Sequence, residues 1–580
     1  MSLRAYGRRL AHLRCLPPPT FFHPRTPTLP NAHTPTMHDY VIVGGGSAGG
    51  VLARRLSEDR GARVLLLAAG GEAERAMDAG TPVASQNLFA TERDEGGCTT
   101  APQEHLLARE LHWPRGNMLG GSSAVDARIA LRGHPADYDA WAAAHGCDGW
   151  RYAAVLPYFK RLESNARGAS RYHGERGPLL VSDLEAPHPL TQAVVRAAVG
   201  AGHPYNADFN AGVPNGAGLH QVTQRAGQRP STTAAYLRPA RGRDNLTVMT
   251  DADVRRVEID GGRAIGVTYE EDGLEWFAEA RAEVILCAGA VGSPQLLMRS
   301  GLGPAEHLED RDVTVRADLP GVGQNLQDHL AVPVCRSLAG GRPPSPAWRG
   351  ARPPTARDLL AGPGLAALSA GEASVFFSTR AKIPAPDVQL HAAPLLFQSP
   401  GPGATKGEAF MLAPALLRPQ STGHLTLPPN APDGKPVIQP RYGAARADLD
   451  ALGAGIRAAR EIFAQRPFAR FGAEELVPGP EKTTDDELRS YVRLEAQTLY
   501  HPVGTCAMGT GAETVVDPSL RVRGVEGLRV AGASVMPRIP RGNTNLPTIM
   551  IAEKAADLIR GHAPLPPDEE AHAPAAKTAT

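Results

Sequence analysis

A histidine and an asparagine near the C-terminal end of the chain have side chains suited to moving a proton. His501 lies in the stretch YHPVG, and Asn545 follows 44 residues later, just before a helix predicted to start at Pro547. A neutral imidazole is a good general base near pH 7, and an amide at a helix start can hydrogen-bond a forming alkoxide. The chemistry that this pair suits is therefore removal of a hydroxyl proton. A His-Pro pair considered alone is more often a turn, so this interpretation depends on the surrounding sequence.

A glycine-rich turn near residue 44 has the spacing of a dinucleotide-binding fingerprint. The strand-like residues YVIV precede GGGSAG at 44–49, and an apolar stripe with helical spacing follows. Such glycines let backbone N–H groups approach a pyrophosphate at the N-terminal end of the helix. The letters also fit the GxSxG elbow of a serine hydrolase, but the additional preceding glycine is needed only for close phosphate approach. The predicted nucleotide-binding residues of this turn are Gly44, Gly46, Ser47, Ala48 and Gly49.

The second strand of this unit, RVLLLA at 63–68, ends without the acidic residue that usually accompanies the fingerprint. Asp or Glu at that position accepts hydrogen bonds from a ribose hydroxyl. Ala68 has no such acceptor. We therefore expect the glycine turn to hold the pyrophosphate while the ribose is bound more weakly.

Composition excludes several classes of protein. With 61 basic and 60 acidic side chains the net charge is +1, so nucleic acid is not an expected partner. No apolar run of 18 or more residues predicts a membrane span. The cysteines are scattered and form no CxxC pair, which indicates reduced thiols and no metal site. They are residues 15, 98, 147, 287, 335 and 506.

The ends of the chain differ in composition from its middle. Residues 1–37 are rich in arginine and proline and are predicted to be a disordered extension, with 563–580 as a disordered tail. The predicted location is the cytoplasm, and organellar import is the alternative if residues 1–36 are a transit peptide. Residues 336–370, crowded with Pro, Gly and Arg, predict a long loop or lid.

Six segments of the sequence, taken together and in this order, resemble the glucose–methanol–choline (GMC) oxidoreductase family, and most closely its choline-dehydrogenase-like branch. The resemblance extends from about residue 38 to 561. The segments are DYVIVGGGSAGGVLARRLSED, WPRGNMLGGSSAVDARIALRG, GAVGSPQLLMRSGLG, VGQNLQDH, LYHPVGTCAMG and GNTNLPTIMIAEKAADLI.

The resemblance implies an α/β fold with two domains. A Rossmann-like FAD-binding domain is expected from residues 38–160, 215–330 and 500–562. A substrate-binding domain of α+β type, built on an antiparallel sheet flanked by helices, is expected from 161–214 and 331–499.

The resemblance also implies which residues contact FAD. Val125 stands where some members carry the histidine that binds flavin covalently, so FAD is expected to be noncovalent. Asp126, Arg128, Gly532 and Arg541 depart from the residues usual at their positions. The expected FAD-binding residues beyond the glycine turn are Ala68, Arg115, Gly116, Gly120, Gly121, Ser122, Asp126, Ala127, Val254, Ala288, Gly532, Asn543, Asn545 and Pro547.

The implied reaction is FAD-dependent oxidation of a small-molecule alcohol to an aldehyde or ketone, with His501 as base, Asn545 positioning the alkoxide and hydride transfer to flavin N5. The alternatives are an FAD-containing hydroxynitrile lyase and a flavin-deficient, non-catalytic relative. The electron acceptor is left open between a quinone, another carrier and O2. Glu372, in GEASVFF, falls near the expected mouth of the site, where a carboxylate could meet a cationic substrate; a solvated loop charge is its commoner role.

Overall fold

Two large β-sheets, four smaller ones and the helices packed on them form the part of the chain that the computed structural model describes, residues 37–72, 97–224, 231–338, 371–380, 383, 385–398, 406–469 and 471–572. The strands are β1 (His38–Val43), β2 (Val64–Leu67), β3 (Cys98–Thr99), β4 (His112–Trp113), β5 (Glu163–Asn165), β6 (Leu179–Asp183), β7 (Gly216–Leu219), β8 (Gln221–Val222), β9 (Leu246–Met249), β10 (Asp253–Asp260), β11 (Arg263–Glu271), β12 (Leu274–Leu286), β13 (Leu302–Gly303), β14 (Ala317–Asp318), β15 (Leu330–Ala331), β16 (Val334–Leu338), β17 (Ala373–Phe377), β18 (Val388–Gln398), β19 (Lys406–Leu416), β20 (His424–Thr426), β21 (Val437–Gln439), β22 (Gly472–Val477), β23 (Gln497–Thr498) and β24 (Leu528–Val530).

Helices cover both sheets. They are α1 (Ser47–Leu56), α2 (Pro135–His145), α3 (Tyr152–Leu162), α4 (Pro189–Gly200), α5 (Gly289–Arg299), α6 (Ala305–Glu309), α7 (Arg446–Ala464), α8 (Arg466–Ala469), α9 (Asp485–Glu495) and α10 (Asn545–Ile559). None of the described helices combines the length and the apolar character needed to cross a membrane.

The first sheet has the order β10-β11-β12-β1-β2-β9, with β24 paired to β12. β1 lies parallel to both β2 and β12, and β2 lies parallel to β9. All four residues of β2 are buried, which explains its unbroken apolar run, because a central parallel strand is covered on both faces. This confirms the predicted βαβ unit and places the carboxyl ends of its strands at one edge.

One long strand joins the parallel part of this sheet to an antiparallel part. The first half of β12 pairs with β11, which pairs in turn with β10, and its second half pairs with β1 and β24. Alternating apolar residues and the turn glycines between 245 and 287 predict an antiparallel hairpin set. The structure confirms it for β10, β11 and the first half of β12, whereas β9, in the same range, lies parallel to β2.

The glycine turn closes tightly on itself between β1 and α1. Gly44 has a φ of +105°, and an added Cβ there would lie 2.7 Å from the carbonyl oxygen of Cys287. A Cβ on Gly49 would lie 1.9 Å from the carbonyl oxygen of Gly44. The turn therefore needs glycine at these positions to bring the start of α1 against the end of β1.

The second sheet is antiparallel, with the order β22-β16-β19-β18-β17-β7, and α7 packs on its outer side. A Cβ on Gly455 of α7 would lie 2.6 Å from Pro414 of β19, which shows how closely the helix approaches. The predicted domain boundary is wrong at one point. β7 falls in the segment 215–330 expected to bind FAD, yet it pairs with β17 at the edge of this second sheet.

The predicted disordered tail also needs correction. The structure describes residues up to 572, and the backbone N–H groups of Leu565 and Asp568 donate to Tyr158 Oη and Ala153 O of α3, at 3.1 and 2.8 Å. These backbone hydrogen bonds attach the segment around Leu565 and Asp568 to α3, although its proline-rich composition predicts disorder. The predictions for residues 1–36, for 339–370 within the expected loop or lid, and for 573–580 fall outside the described residues.

The glycine turn yields a matched pair of variants. Gly49→Ala should lower the melting temperature and the bound FAD content, because its methyl group would overlap the Gly44 carbonyl. Gly50→Ala, the next residue of α1, should leave both unchanged or raise stability by about 0.5–1 kcal/mol, because its Cβ would make ordinary contact, 3.6 Å from Thr232. Thermal melts and flavin absorbance of the two purified variants test this. Equal behaviour of the two would contradict the tight turn.

Candidate active site

A cavity of about 1020 Å³ lies between the carboxyl ends of the first sheet and one face of the second. The ends of β1, β2 and β12 and the glycine turn line one side, and residues of β18 and β19 line the other. This edge of a parallel sheet is where open α/β folds bind nucleotides. The expected FAD-binding residues line this cavity, apart from Gly49, Gly120 and Pro547.

Those three residues have other surroundings. Gly49 packs against Gly44 within the turn, and a Cβ on Gly120 would lie 3.0 Å from the hydroxyl of Thr233. Pro547 is buried in the first turn of α10. Gly49 and Gly120 allow the close approach of neighbouring segments, and a direct contact of these three residues with FAD stays a prediction.

The phosphate-binding part of the cavity fits a dinucleotide. The first turn of α1 has no acidic residue, and its N-cap is Gly46, which makes no side-chain capping bond. A Cβ on Gly121 would lie 2.8 Å from the Cα of Gly46, so two glycine-bearing segments meet there. Backbone N–H groups at the positive end of a helix are the groups that bind a pyrophosphate.

The ribose position agrees with the sequence. Ala68 follows β2 directly, is 3% exposed and lines the cavity. Its backbone N–H donates to Met249 and its carbonyl accepts from Ala252. Neither its side chain nor its paired backbone replaces the missing carboxylate.

The partner of His501 is a different asparagine from the one predicted. His501 Nε2 lies 3.2 Å from the amide nitrogen of Asn543. Asn545 instead accepts from Ser47 Oγ at 2.8 Å and donates to Asp126 Oδ2 at 2.9 Å. Asn545 is the first residue of α10, and its side chain points to the start of α1, whereas Asn543 lies on the preceding turn. Asn545 therefore joins two helix starts and does not face the imidazole.

The backbone of His501 is held by a buried carboxylate. Asp328 is 4% exposed, and its Oδ1 accepts from the His501 N–H at 2.7 Å. Its Oδ2 accepts from the hydroxyl groups of Tyr442 and Thr498. Burial raises the pKa of Asp328, and these donors, together with Arg115, oppose that rise. A buried carboxylate with three donors fixes the segment that carries His501.

The ring of His501 is held by His329, the residue that follows Asp328. His329 Nδ1 lies 3.0 Å from His501 Nδ1, with the two rings edge to face. Burial lowers the pKa of His329 to about 3. Burial, followed by the neighbouring His329, His391 and Arg115, lowers the pKa of His501 well below its usual value. Both rings are therefore uncharged at neutral pH, and one of the facing nitrogens donates to the other.

Gln327, the residue that precedes Asp328, holds the turn that leads to Asn543. Gln327 Oε1 accepts from the Ile539 N–H at 3.2 Å, and its Nε2 donates to the Pro537 carbonyl at 3.2 Å. Gln327, Asp328 and His329 thus support both halves of the His501–Asn543 pair. In the sequence alone, the segment VGQNLQDH counts only as part of a resemblance. A signal was present: the polar run Gln327, Asp328 and His329 is followed by the apolar residues Leu330, Ala331 and Val332.

Asp126 and Arg128, two of the residues that depart from the family pattern, have opposite charges and form an ion pair with each other. Arg128, buried and with a φ of +62°, forms an ion pair with Asp126 Oδ1 at 3.2 Å and donates to the Ala124 carbonyl. Asp126 also holds Asn545. Arg541 is paired with Asp137 of α2. Gly532 lines the cavity with a φ of +126°, a conformation that suits glycine.

Comparison with known proteins agrees with this geometry. Residues 38–331 and 419–552 match the two sequence profiles of the GMC oxidoreductase family. The chain is 40% identical over 540 residues to mitochondrial choline dehydrogenase of Mus musculus, with 90% of each chain covered. It is 41% identical over 539 residues to oxygen-dependent choline dehydrogenase 1 of Chromohalobacter salexigens, with 91% of this chain and 96% of the relative covered.

A solved structure shares the fold over nearly the whole chain. It is pyridoxine 4-oxidase from Mesorbium loti, with a TM-score of 0.81, 31% sequence identity, and coverage of 91% of this chain and 100% of that one. The α/β fold class and the resemblance found in the sequence are confirmed. The chain therefore belongs to the GMC oxidoreductase family, as an FAD-dependent alcohol oxidoreductase of its choline-dehydrogenase-like branch.

Proposed function

We propose that this enzyme oxidises the carbinol group of an alcohol to a carbonyl, with His501 as the general base and Asn543 as the residue that binds the alcohol oxygen. The observation that carries this proposal is the contact between His501 Nε2 and the Asn543 amide at the wall of the cavity. FAD, when bound, supplies the acceptor for the hydride that leaves the carbinol carbon.

His501 removes the hydroxyl proton through Nε2. That nitrogen accepts from the Asn543 amide in the absence of substrate, so it carries no hydrogen and the ring proton lies on Nδ1. Nδ1–H then donates to His329 Nδ1. Since burial keeps the pKa of His501 well below its usual value, the base is unprotonated before the alcohol arrives.

Asn543 stabilises the alkoxide that forms. Its amide N–H lies beside the nitrogen that takes the proton, so one alcohol oxygen can contact both groups. A donor placed before reaction begins stabilises the charge that develops on that oxygen. Asn545 contributes indirectly, because it ties the start of α10 to Ser47 of α1 and to Asp126.

The residues present fit noncovalent FAD. Gly44, Gly46 and the start of α1 would hold the pyrophosphate, and Val254 and Ala288 line the same cavity. Val125 also lines the cavity, and its side chain cannot form a bond to flavin. Ala68 and His501 line this same cavity.

The alternative functions have less support. The relatives are choline dehydrogenases, which does not favour a hydroxynitrile lyase. The GxSxG interpretation loses its nucleophile, because the Ser47 hydroxyl donates to Asn545 and not to an imidazole. A flavin-deficient relative is tested directly by the flavin content of the purified protein.

The electron acceptor and the cellular location remain predictions. The bacterial relative is named oxygen-dependent, and the mouse relative is named mitochondrial. We keep the cytoplasm as the proposed location and import directed by residues 1–36 as its alternative. Reoxidation of the reduced enzyme by O2, compared with reoxidation by a quinone, identifies the acceptor.

Anaerobic flavin reduction tests the proposed base and its partner. His501→Ala should slow reduction by an alcohol by about 100-fold or more and keep the FAD, as expected for loss of a general base. Asn543→Ala should also slow reduction at saturating alcohol, by about 10- to 100-fold. Asn545→Ala is the matched control: it should lower stability or FAD retention and slow reduction less than Asn543→Ala does. Stopped-flow absorbance measures the rates.

Three results would oppose this assignment. A wild-type rate in His501→Ala removes His501 from the mechanism. A larger loss of rate in Asn545→Ala than in Asn543→Ala restores Asn545 as the partner. Purified protein that takes up no FAD, or FAD that no alcohol bleaches, contradicts the function itself.

A second prediction concerns the ribose position. Ala68→Glu should raise FAD occupancy and slow FAD loss on dilution, by about 10- to 100-fold in affinity, because hydrogen bonds to a charged acceptor contribute roughly 1.5–3 kcal/mol. Ala68→Gln should gain less. Flavin released after dilution is measured by fluorescence. Unchanged retention in Ala68→Glu means that other groups already satisfy the ribose.

A further inference from the structure

The wall of the cavity that faces His501 is formed by one face of the second sheet. β18 and β19 pair so that His391 lies opposite Ala413 and Ala393 lies opposite Met411. His391, Met411 and Ala413 line the cavity, together with Ile129. A Cβ on Gly371 would lie 3.3 Å from Ile129 and 3.8 Å from His391, so these groups form one surface. That surface is apolar except for an uncharged imidazole.

The carboxylates among the described residues of the cavity already have cationic partners. Asp126 pairs with Arg128 at 3.2 Å. Asp253 pairs with Arg255 at 3.0 Å, and Asp433 lies 3.7 Å from Arg299. A cationic substrate would have to compete with an arginine for each of them.

Glu372, the acidic residue that the sequence singled out for a cationic substrate, is used elsewhere. It is 2% exposed, and its Oε2 accepts from the His188 N–H at 2.9 Å and from the Thr191 hydroxyl at 2.6 Å. These donors belong to the N-cap and first turn of α4, whose positive end a carboxylate stabilises. Glu372 thus caps a helix and is neither a solvated charge nor part of the cavity wall.

The electrostatic surroundings of His501 agree with this distribution. After burial, the groups that lower the pKa of His501 are His329, His391 and Arg115. For His391, burial alone lowers the pKa, to about 4. Among the described residues, the carboxylate of Asp328 contacts the His501 backbone, but it is 4% exposed, accepts from three donors and does not line the cavity. Tyr500 is the one Phe, Tyr or Trp among the described residues that line the cavity, so these residues form no cage of several aromatic rings around a cation.

We propose that the substrate of this site is an uncharged alcohol with an apolar chain, and not a quaternary ammonium alcohol of the kind for which the choline dehydrogenase relatives are named. This inference rests on the proposed alcohol oxidation. A permanent cation loses its hydration on entering such a cavity, and every carboxylate among the described lining residues already has an arginine partner, whereas an apolar chain gains from leaving water.

The test compares choline with its neutral isostere, in which a tert-butyl group replaces the trimethylammonium group. The two have nearly the same shape, so the charge decides between them. With the FAD-loaded enzyme under anaerobic conditions, we expect flavin reduction per unit substrate concentration to be about 100-fold faster with the isostere, which corresponds to about 2.7 kcal/mol. Choline that is equal to the isostere or better overturns the inference and leaves alcohol oxidation intact.

A pair of variants tests the same point from the side of the protein. Met411→Glu places a carboxylate on the wall and should shift the preference towards choline by about 10-fold or more, whereas Met411→Gln, of nearly equal size, should not. Equal preferences in the two variants would count against a role for charge at this wall. Failure of every alcohol, charged or neutral, to bleach the flavin overturns the proposed function and this inference together.

Discussion

The carboxylate of Asp328 is the point at which the active site is fixed to the rest of the protein. It accepts hydrogen bonds from the His501 backbone, from Thr498 and from Tyr442, which come from two segments distant in sequence. A buried carboxylate is costly unless donors surround it, so these segments are held together by the same requirement that keeps Asp328 satisfied. The position of the base follows from this arrangement and does not depend on the loop around His501 alone.

The residues on either side of Asp328 extend this control to the whole catalytic pair. His329 contacts the ring of His501, and Gln327 holds the turn that leads to Asn543. One short stretch of backbone therefore sets the orientation of the imidazole and the place of the amide beside it. Groups held in this way lose little freedom when the substrate binds, which favours reaction. The same burial that keeps the imidazoles uncharged makes the cavity unsuitable for a charged substrate.

The sequence predicted those parts of the protein whose patterns have a direct physical cause. The run VLLL identified a strand covered on both faces, and the glycine turn identified the nucleotide site, because only glycine permits its backbone contacts. His501 was proposed as the base through its surrounding motif, and the structure places it at the wall of the cavity. These features depend on neighbours in the chain, so the local sequence contains the information.

The errors arose where the outcome depends on contacts between distant segments. Asn543 and Asn545 are two residues apart at the start of a helix, and only the position of that helix decides which amide meets His501. The segment that contains β7 was expected in the FAD-binding domain, because its partner in the second sheet, β17, lies more than 150 residues away. Glu372 was interpreted by its place in a motif, yet His188 and Thr191 of another element determine what it does.

The central claim is that His501 is an uncharged imidazole before the substrate arrives. Its ring proton lies on Nδ1, and Nε2 carries no proton and can take one from the substrate. Nitrogen NMR of protein containing isotope-labelled histidine measures this directly, with His501→Gln used to assign the signals. At neutral pH we expect the His501 signals to show one protonated nitrogen, Nδ1, and one unprotonated nitrogen, Nε2. Signals from two protonated nitrogens, or a proton on Nε2, would contradict the account.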